Sequence, residues 1–271
     1  MAAFIQITDT HIVPEGQLAY GKSDTAAALR SAIKTVNDIL PRLDRVECAI
    51  LTGDLTDFGT LAEYARLNAM LADLDLPCLA IPGNHDVREA MRAAFAGEAW
   101  MPTSGPIQWS RDFGDFTVIG LDTLVEGSHH GQICDTGLAF LDRTLASLNG
   151  QVAIVATHHP WMPSGVVAMD ANNLRNGDAL MARLEAYPGP ARMTSGHIHR
   201  TMTTQIGRVT CQIAPAPCHA VALDHRADNV NSLMMEPGGV TLWQWRTTPQ
   251  PCLVSGVIPV GAFAGPWPFY G

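Results

Sequence analysis

The chain predicts an α/β fold, and three observations predict it. Short apolar runs alternate with longer segments whose apolar residues recur at helical spacing. The apolar runs end in clusters of Gly, Asp, Asn and His, where strands give way to loops. Hydrophobic residues make up 47% of the 271, enough to bury a large core.

Each element follows from its own pattern. Phe4–Thr8 is the first strand and ends at Asp9. Asp24–Leu40 is a helix, because Leu29, Ala32, Ile33, Val36 and Leu40 share one face. Cys48–Thr52 is a second strand, ending in Gly53-Asp54. Thr60 and Glu63 form a capping-box pattern ahead of a helix carrying Leu61, Tyr64, Leu67 and Leu71. Leu79–Ile81 is a third strand, running into Pro82, Gly83, Asn84, His85 and Asp86. The scheme repeats with strands at Phe116–Leu121, Val152–Ala156 and Ala191–Thr194. Helices marked by Leu138, Leu141, Leu145 and Leu148, and by Leu180, Met181 and Leu184, lie between them. Val209–Ile213, Ser232–Met235 and Val240–Trp245 read as strands without helices between them, at the edge of a second sheet. No charged residue occurs from Thr247 to Gly271, where Pro, Gly and aromatics dominate. The chain therefore divides into a domain over 1–246 and a tail over 247–271. That tail cannot be a helix, and it either wraps over the core or forms a subunit interface.

Composition excludes several classes. The net charge is -9, only 16% of residues are charged, and no Lys/Arg run occurs, so no stable nucleic-acid partner is expected. Any positive charge offered to an anionic substrate must come from something other than Lys and Arg, which points to a metal. No secretory signal and no apolar membrane span is read. The six cysteines form no C-x-x-C pair, and Cys48, Cys78 and Cys211 sit in apolar runs as buried thiols, which fits a cytoplasmic protein.

The polar residues gather at one architectural position. Asp9, His11, Asp54, Asn84, His85, His158, His197 and His199 all fall just past strand C-termini, where ligand sites form in open α/β sheets. Imidazoles with carboxylates suit Zn, Fe, Mn or Co, and there are donors enough for two divalent ions with one carboxylate bridging. Asp9 and His11, like His197 and His199, are two residues apart and share one side of an extended segment. Taken singly, each piece has a plain structural explanation: Asp9 capping a turn, Asn84–Asp86 starting a helix, His158 and His159 forming a buried pair. Their co-occurrence in order at strand ends argues for a site.

Together, Asp9-Thr10-His11, Gly53-Asp54-Leu55-Thr56-Asp57, Gly83-Asn84-His85-Asp86, His158-His159 and Gly196-His197-Ile198-His199 resemble the five signature blocks of the calcineurin-like metallophosphoesterases. The resemblance implies a four-layer α-β-β-α sandwich of two mixed sheets flanked by helices, with a small C-terminal lobe. It implies one metal held by Asp9, His11, Asp54 and His199, and a second held by Asp54, Asn84, His158 and His197. His85 would stand beside the metals without binding them, contacting the phosphate with Asn84 or protonating the leaving oxygen. Asp86 would orient the His85 ring or cap a following helix. The expected reaction is attack of a metal-bound hydroxide on phosphorus.

Within the family, Asp57 stands where purple acid phosphatases carry a tyrosine ligand, and the Asp-Arg-Gly and Asn-His-Glu patterns of protein phosphatases are missing. The length, the segment from Pro217-Cys218-His219 to His225, and Ala264-Gly265-Pro266-Trp267 are similar to the bacterial cyclic nucleotide phosphodiesterase and glycerophosphodiesterase branch. That similarity implies a small phosphodiester substrate, a 3′,5′-cyclic nucleotide such as cAMP or, as the alternative, a glycerophosphodiester. It also implies a homo-oligomer and a substrate contact from His219 or His225. A phosphomonoesterase and a non-catalytic scaffold are the remaining alternatives. His129-His130 reads as a solvated turn.

Overall fold

The computed structural model of the chain describes residues 1–270. It begins with β1 (Ala3–Ile7), α1 (Thr25–Ile39), β2 (Val46–Thr52), α2 (Leu61–Leu71), β3 (Cys78–Ile81) and α3 (Arg88–Ala94). The middle holds β4 (Trp109–Asp112), β5 (Phe116–Gly120), α4 (Asp135–Ser147), β6 (Val152–Ala156), α5 (Val167–Asp170), α6 (Gly177–Ala186) and β7 (Ala191–Ser195). The chain closes with β8 (Met202–Ile206), β9 (Val209–Ile213), β10 (Ala220–Val221), β11 (Leu233–Met234), β12 (Gly239–Arg246) and β13 (Cys252–Pro259).

Two mixed sheets carry the fold. The first has the order β13-β12-β1-β2-β3, and the second β4-β5-β6-β7-β9-β8. In the first, β1, β2 and β3 are parallel, β12 runs antiparallel to β1, and β13 runs antiparallel to β12 and so in the direction of β1. In the second, β5, β6, β7 and β9 are parallel, with β4 and β8 as antiparallel edges. Strand alternation sorts the side chains into three cores, which is the four-layer sandwich expected. Ile5 and Ile7 of β1 meet Leu29, Leu67 and Met91 of the helices outside the first sheet. Leu141 and Leu184 cover Val155 and Met193 outside the second. Phe4, Ile50, Phe116, Ile154 and Trp243 fill the space between the sheets.

One polar residue crosses that inter-sheet core. Gln6, fully buried on β1, donates to the Thr52 hydroxyl at 3.0 Å and the Ser195 carbonyl at 3.4 Å. It accepts from the Thr194 hydroxyl at 2.7 Å and the Trp243 indole N–H at 3.0 Å. Both donors and both acceptor positions of the amide are used, and the bonds join β1, β2 and β12 to β7 directly beneath the loops of the site.

The C-terminal third differs from the expectation of a second-sheet edge. β9 lies inside the second sheet between β7 and β8, while β12 returns to the first sheet beside β1. Only β11 forms a separate ladder, two residues long, with β10. The boundary at residue 246 falls at a hairpin, because β13 pairs with β12 along its whole length from Gly239↔Pro259 to Arg246↔Cys252. The low charge of the tail thus conceals an edge strand. Beyond it Phe263, Trp267, Phe269 and Tyr270 are exposed. All six cysteines are free, and no helix among the described residues is long and apolar enough to cross a membrane.

Candidate metal centre

Five parallel strands, β1, β2, β3, β6 and β7, deliver their following loops to one point between the sheets. The loops are laced to one another. Asp9 N–H donates to the Gly53 carbonyl (3.0 Å), His11 N–H to the Asp54 carbonyl (2.9 Å) and Gly196 N–H to the His158 carbonyl (3.0 Å). Among the described residues, seven that are not glycine have positive φ. Asp9, His11, Asp54, His197 and His199 are five of them, and Tyr20, a sixth, lines the same pocket. Such conformations cost about 1–3 kcal/mol each and persist where surrounding contacts over-determine them, typically at active sites. Gly83 and Gly196 are required by close approach: a Cβ at Gly83 would collide with the Asp54 carboxylate, and one at Gly196 with the Thr8 hydroxyl and Asp9 carboxylate.

The imidazoles are oriented from behind. His11 Nδ1–H donates to Asp57 Oδ1 (3.0 Å), His158 Nδ1–H to the Thr52 carbonyl (2.9 Å) and His199 Nδ1–H to the His219 carbonyl (2.9 Å). These partners only accept, so Nδ1 carries the hydrogen and each Nε2 turns inward to hold a proton or a metal. Around one point stand His11 Nε2 and His199 Nε2, 3.2 Å apart, with Asp9 Oδ1 3.3 Å from His199 and Asp54 Oδ2 3.6 Å from His11. Around a second point, His158 Nε2 lies 3.3 Å from Asp54 Oδ2 and 3.2 Å from Asn84 Oδ1. His197 Nε2 is buried with no partner at all. Asp54 Oδ1 is occupied by the His85 N–H at 2.9 Å, which leaves Oδ2 to face both groups. An orphaned imidazole nitrogen and two sets of converging nitrogen and oxygen donors fit two borderline metal ions sharing one carboxylate.

Electrostatics carry the same sense. Burial alone would raise Asp9, but charge on His199 and His158 holds it down to about 2, and Asp54 lies well below the usual carboxylate range for like reasons. Burial would depress His158, but the Asp54 carboxylate outweighs it and lifts the ring to about 9; Asp9 lifts His199 in the same way. His197 is pushed to about 3 by burial and by the charge on His158. Without metal, the buried carboxylates thus favour the protonated forms of His158 and His199.

The remaining expected residues divide. His85 sits above the centre, its Nδ1–H donating to the Asp57 carbonyl at 2.9 Å and its ring 4.7 Å from that of His11. Burial lowers its pKa, but Asp54, the Asp57 carbonyl and the Asp57 and Asp86 carboxylates outweigh that and raise it. Asp86 makes no hydrogen bond to His85, and Val87 rather than Asp86 is the N-cap of α3. The Asp86 carboxylate instead accepts from Leu55 N–H (3.1 Å), Gly83 N–H (2.9 Å) and the Tyr64 hydroxyl (2.7 Å), tying the second and third loops together. Asp57 takes the orienting place, and Asp57 had no role assigned from sequence. His159 is paired with the Thr123 hydroxyl and the His129 carbonyl, outside the donor sets.

His219 reaches the pocket, its ring 4.8 Å from that of His199 and its Nδ1 3.2 Å from the Ser23 hydroxyl. His225 does not: it is exposed and packs beside Gly165, because the chain leaves β10 at Val221 for a surface loop. His129 of the expected solvated turn lines the mouth, whereas His130 does not. Tyr20, Asn172, Asn231 and Ser232 also line the cavity, which has a volume of about 500 Å³. No spacing rule marks them, since they arrive from separate loops.

Comparison with known proteins follows this geometry. The calcineurin-like phosphoesterase family matches residues 2–201. A probable glycerophosphodiester phosphodiesterase of Arcobacter nitrofigilis is 34% identical over 267 residues, covering 98% of this chain and 96% of that protein. A 3′,5′-cyclic adenosine monophosphate phosphodiesterase of Pseudomonas aeruginosa is 31% identical over 214 residues, covering 79% and 75%. Among solved structures, a dimetal phosphatase of Danio rerio superposes with a TM-score of 0.60 at 13% identity, covering 96% of this chain and 99% of that one.

Proposed function

Since the chain belongs to the calcineurin-like phosphoesterases and is a metal-dependent phosphodiesterase, we propose that it hydrolyses small phosphodiesters, 3′,5′-cyclic nucleotides such as cAMP foremost. The observation that carries the substrate is the cavity beyond the metal centre. Its outer wall presents the apolar side chains of Met169, Val221 and Leu233 beside the amides of Asn172 and Asn231, a lining suited to a flat, polar-edged group. A glycerophosphodiester is the second reading, favoured by the full-length match to the Arcobacter protein.

Asp9, His11, Asp54 and His199 would hold one divalent ion, and Asp54, Asn84, His158 and His197 the other. Such a pair, which Mn, Fe, Zn or Co would each fit, supplies Lewis acidity to the phosphoryl oxygens and lowers the pKa of bound water. The chain's own groups do the rest. The Nδ1 contacts to Asp57, Thr52 and His219 hold three imidazoles in the ligating tautomer. His85, anchored through Nδ1, presents Nε2 to the phosphate or, as a general acid, to the departing alkoxide. No Lys or Arg lines the cavity, so a substrate with one negative charge suits it better than a monoester dianion. All eight strand-end residues are in place, which leaves nothing to favour a non-catalytic scaffold. We place the enzyme in a reducing cytoplasm on account of its free cysteines, and expect the exposed aromatic tail to be covered in a homo-oligomer.

The test is initial-rate hydrolysis by chelator-stripped protein with Mn(II) restored, on cAMP, glycerophosphoethanolamine, bis(p-nitrophenyl) phosphate and p-nitrophenyl phosphate. Diester turnover that depends on metal, with cAMP ahead, is expected. Preference for p-nitrophenyl phosphate would make the enzyme a monoesterase, and failure to bind metal would remove the basis of the reading.

A further inference from the structure

The outer wall of the cavity has a makeup of its own. It is built where α5 meets the segment leading into β11, and the two touch: the Asn231 amide N–H reaches the Met169 sulfur at 3.4 Å. Met169 and Val221 are almost wholly buried, so they form a fixed apolar floor. Leu233, half-buried, completes it. Around this floor stand unspent polar groups. Asn172 spends one amide hydrogen on the Ala168 carbonyl at 2.9 Å, leaving its oxygen and second hydrogen uncommitted. Asn231 spends one hydrogen on sulfur, a weak acceptor, and its oxygen is likewise uncommitted. None of these residues belongs to the metal centre, and Val221, Asn231 and Leu233 lie outside the region matched by the family, residues 2–201.

We propose that Met169, Val221 and Leu233, with Asn172 and Asn231, form a nucleobase subsite: the apolar floor takes the face of the base and the two amides its polar edge. The assignment rests on the phosphodiesterase reading and deepens it. The chemistry is specific. A purine offers a flat π-face of low polarity and an edge of alternating donors and acceptors, and an amide, with a donor and an acceptor side by side, matches such an edge in two-point fashion. A glycerol or ethanolamine group has no flat face to cover the methionine and leucine and would leave that floor wet.

Two variants test the subsite. Asn231→Ala removes the amide of an exposed residue and Leu233→Ser the apolar body of a half-buried one, so both should fold; equal thermal midpoints with the parent check that. In each, KM for cAMP should rise about tenfold while kcat stays within about twofold, because the phosphate remains on the unaltered centre. Turnover of glycerophosphoethanolamine, which has no base, should not change. A KM for cAMP that does not move in a folded variant overturns the proposal. So does an equal loss on both substrates, which would make the wall a general support. Bis(p-nitrophenyl) phosphate separates the two layers of the argument. If the metal-loaded parent fails on every diester, the phosphodiesterase reading falls; if it cleaves the nitrophenyl diester but not cAMP, the base subsite and the preference for cAMP fall while the phosphodiesterase reading stands.

Discussion

At the inner end of the pocket, six of the seven expected ligands are buried and Asn84 is half-buried; five of the seven are in left-handed backbone, and three of the imidazoles are fixed from behind by an acceptor-only partner. At the outer end, Asn172, Asn231 and Ser232 come from short or irregular segments, are half-buried or exposed, and keep side-chain polar atoms uncommitted. The inner end rides on the C-termini of parallel strands, whose positions are set by two sheets and three cores. The outer end includes a wall from residues 221–233, beyond the part matched by the family. The contrast teaches where each property of the enzyme resides. Groups that need precise placement sit at strand ends, and the wall to which we assign substrate choice sits on later, less constrained chain.

The largest effect that would sharpen this contrast comes from the carboxylate we propose to be shared by both ions. Asp54→Ala removes Oδ2, which faces His11 on one side and His158 on the other, and also the acceptor for the His85 N–H. Elemental analysis should find at least one ion gone, and initial rates should fall by about a thousandfold or more. Full occupancy of both positions would count against a bridging role. His85→Ala should do less. Metal content should be intact, because the ring is anchored to Asp57 and belongs to neither donor set, while kcat should drop about a hundredfold. Lost metal in that variant would place His85 among the ligands instead.

The two ends also differ in how far sequence reveals them. The helix α1 starts at Asp24, whose carboxylate accepts from Ala27 N–H at 2.9 Å, and the Thr60–Glu63 capping box of α2 is formed; both are local patterns and were readable. The proposed ligands stand out in the sequence because they end strands and fall in tight blocks. Asp86 and Asp57 show the limit. Both lie in those blocks, yet only the packed structure reveals that Asp86 bonds to the second loop and to Tyr64, leaving Asp57 to orient His85 and His11. His219 and His225 stand six residues apart, and which one enters the pocket depends on where β10 stops. β13 was hidden for a different reason. Its apolar residues fall on both faces, as Leu253 is buried while Val254 and Val257 are exposed, so no alternation marked it as a strand.

Metal loading should depend on pH in a direction that can be worked out. In the metal-free protein the neighbouring Asp54 carboxylate lifts His158 to about 9, so below that pH an incoming ion must displace a proton from Nε2. Apparent affinity for Mn(II) should therefore rise with pH, by about tenfold per unit for the one proton, and level off above about pH 9. His199, raised by Asp9, would steepen the slope if both positions load together. Equilibrium titrations between about pH 6 and pH 8 check it. A flat profile would mean that the buried carboxylates are neutralised by something other than these two rings.

The smallest effect should come from Gln6, which touches no ligand. The inner end is assembled from two separate sheets, with Asp9, His11, Asp54 and Asn84 on one and His158, His197 and His199 on the other. Gln6 is bonded to Thr52, two residues before Asp54, and to Thr194 and Ser195, just before His197. Gln6→Leu keeps the bulk but leaves the Trp243 N–H and the Thr194 hydroxyl without their acceptor, a loss of about 1–3 kcal/mol. The thermal midpoint should fall by several degrees. If the amide only supports the core, the fall will be the same with and without Mn(II). If it keeps the two halves of the centre in register, the variant will also bind metal a few-fold more weakly, and the stabilisation gained from a fixed Mn(II) concentration will shrink accordingly. The second outcome is expected, because the strand ends are rigid only relative to their own sheet, and this one amide is bonded to both sheets directly below the site.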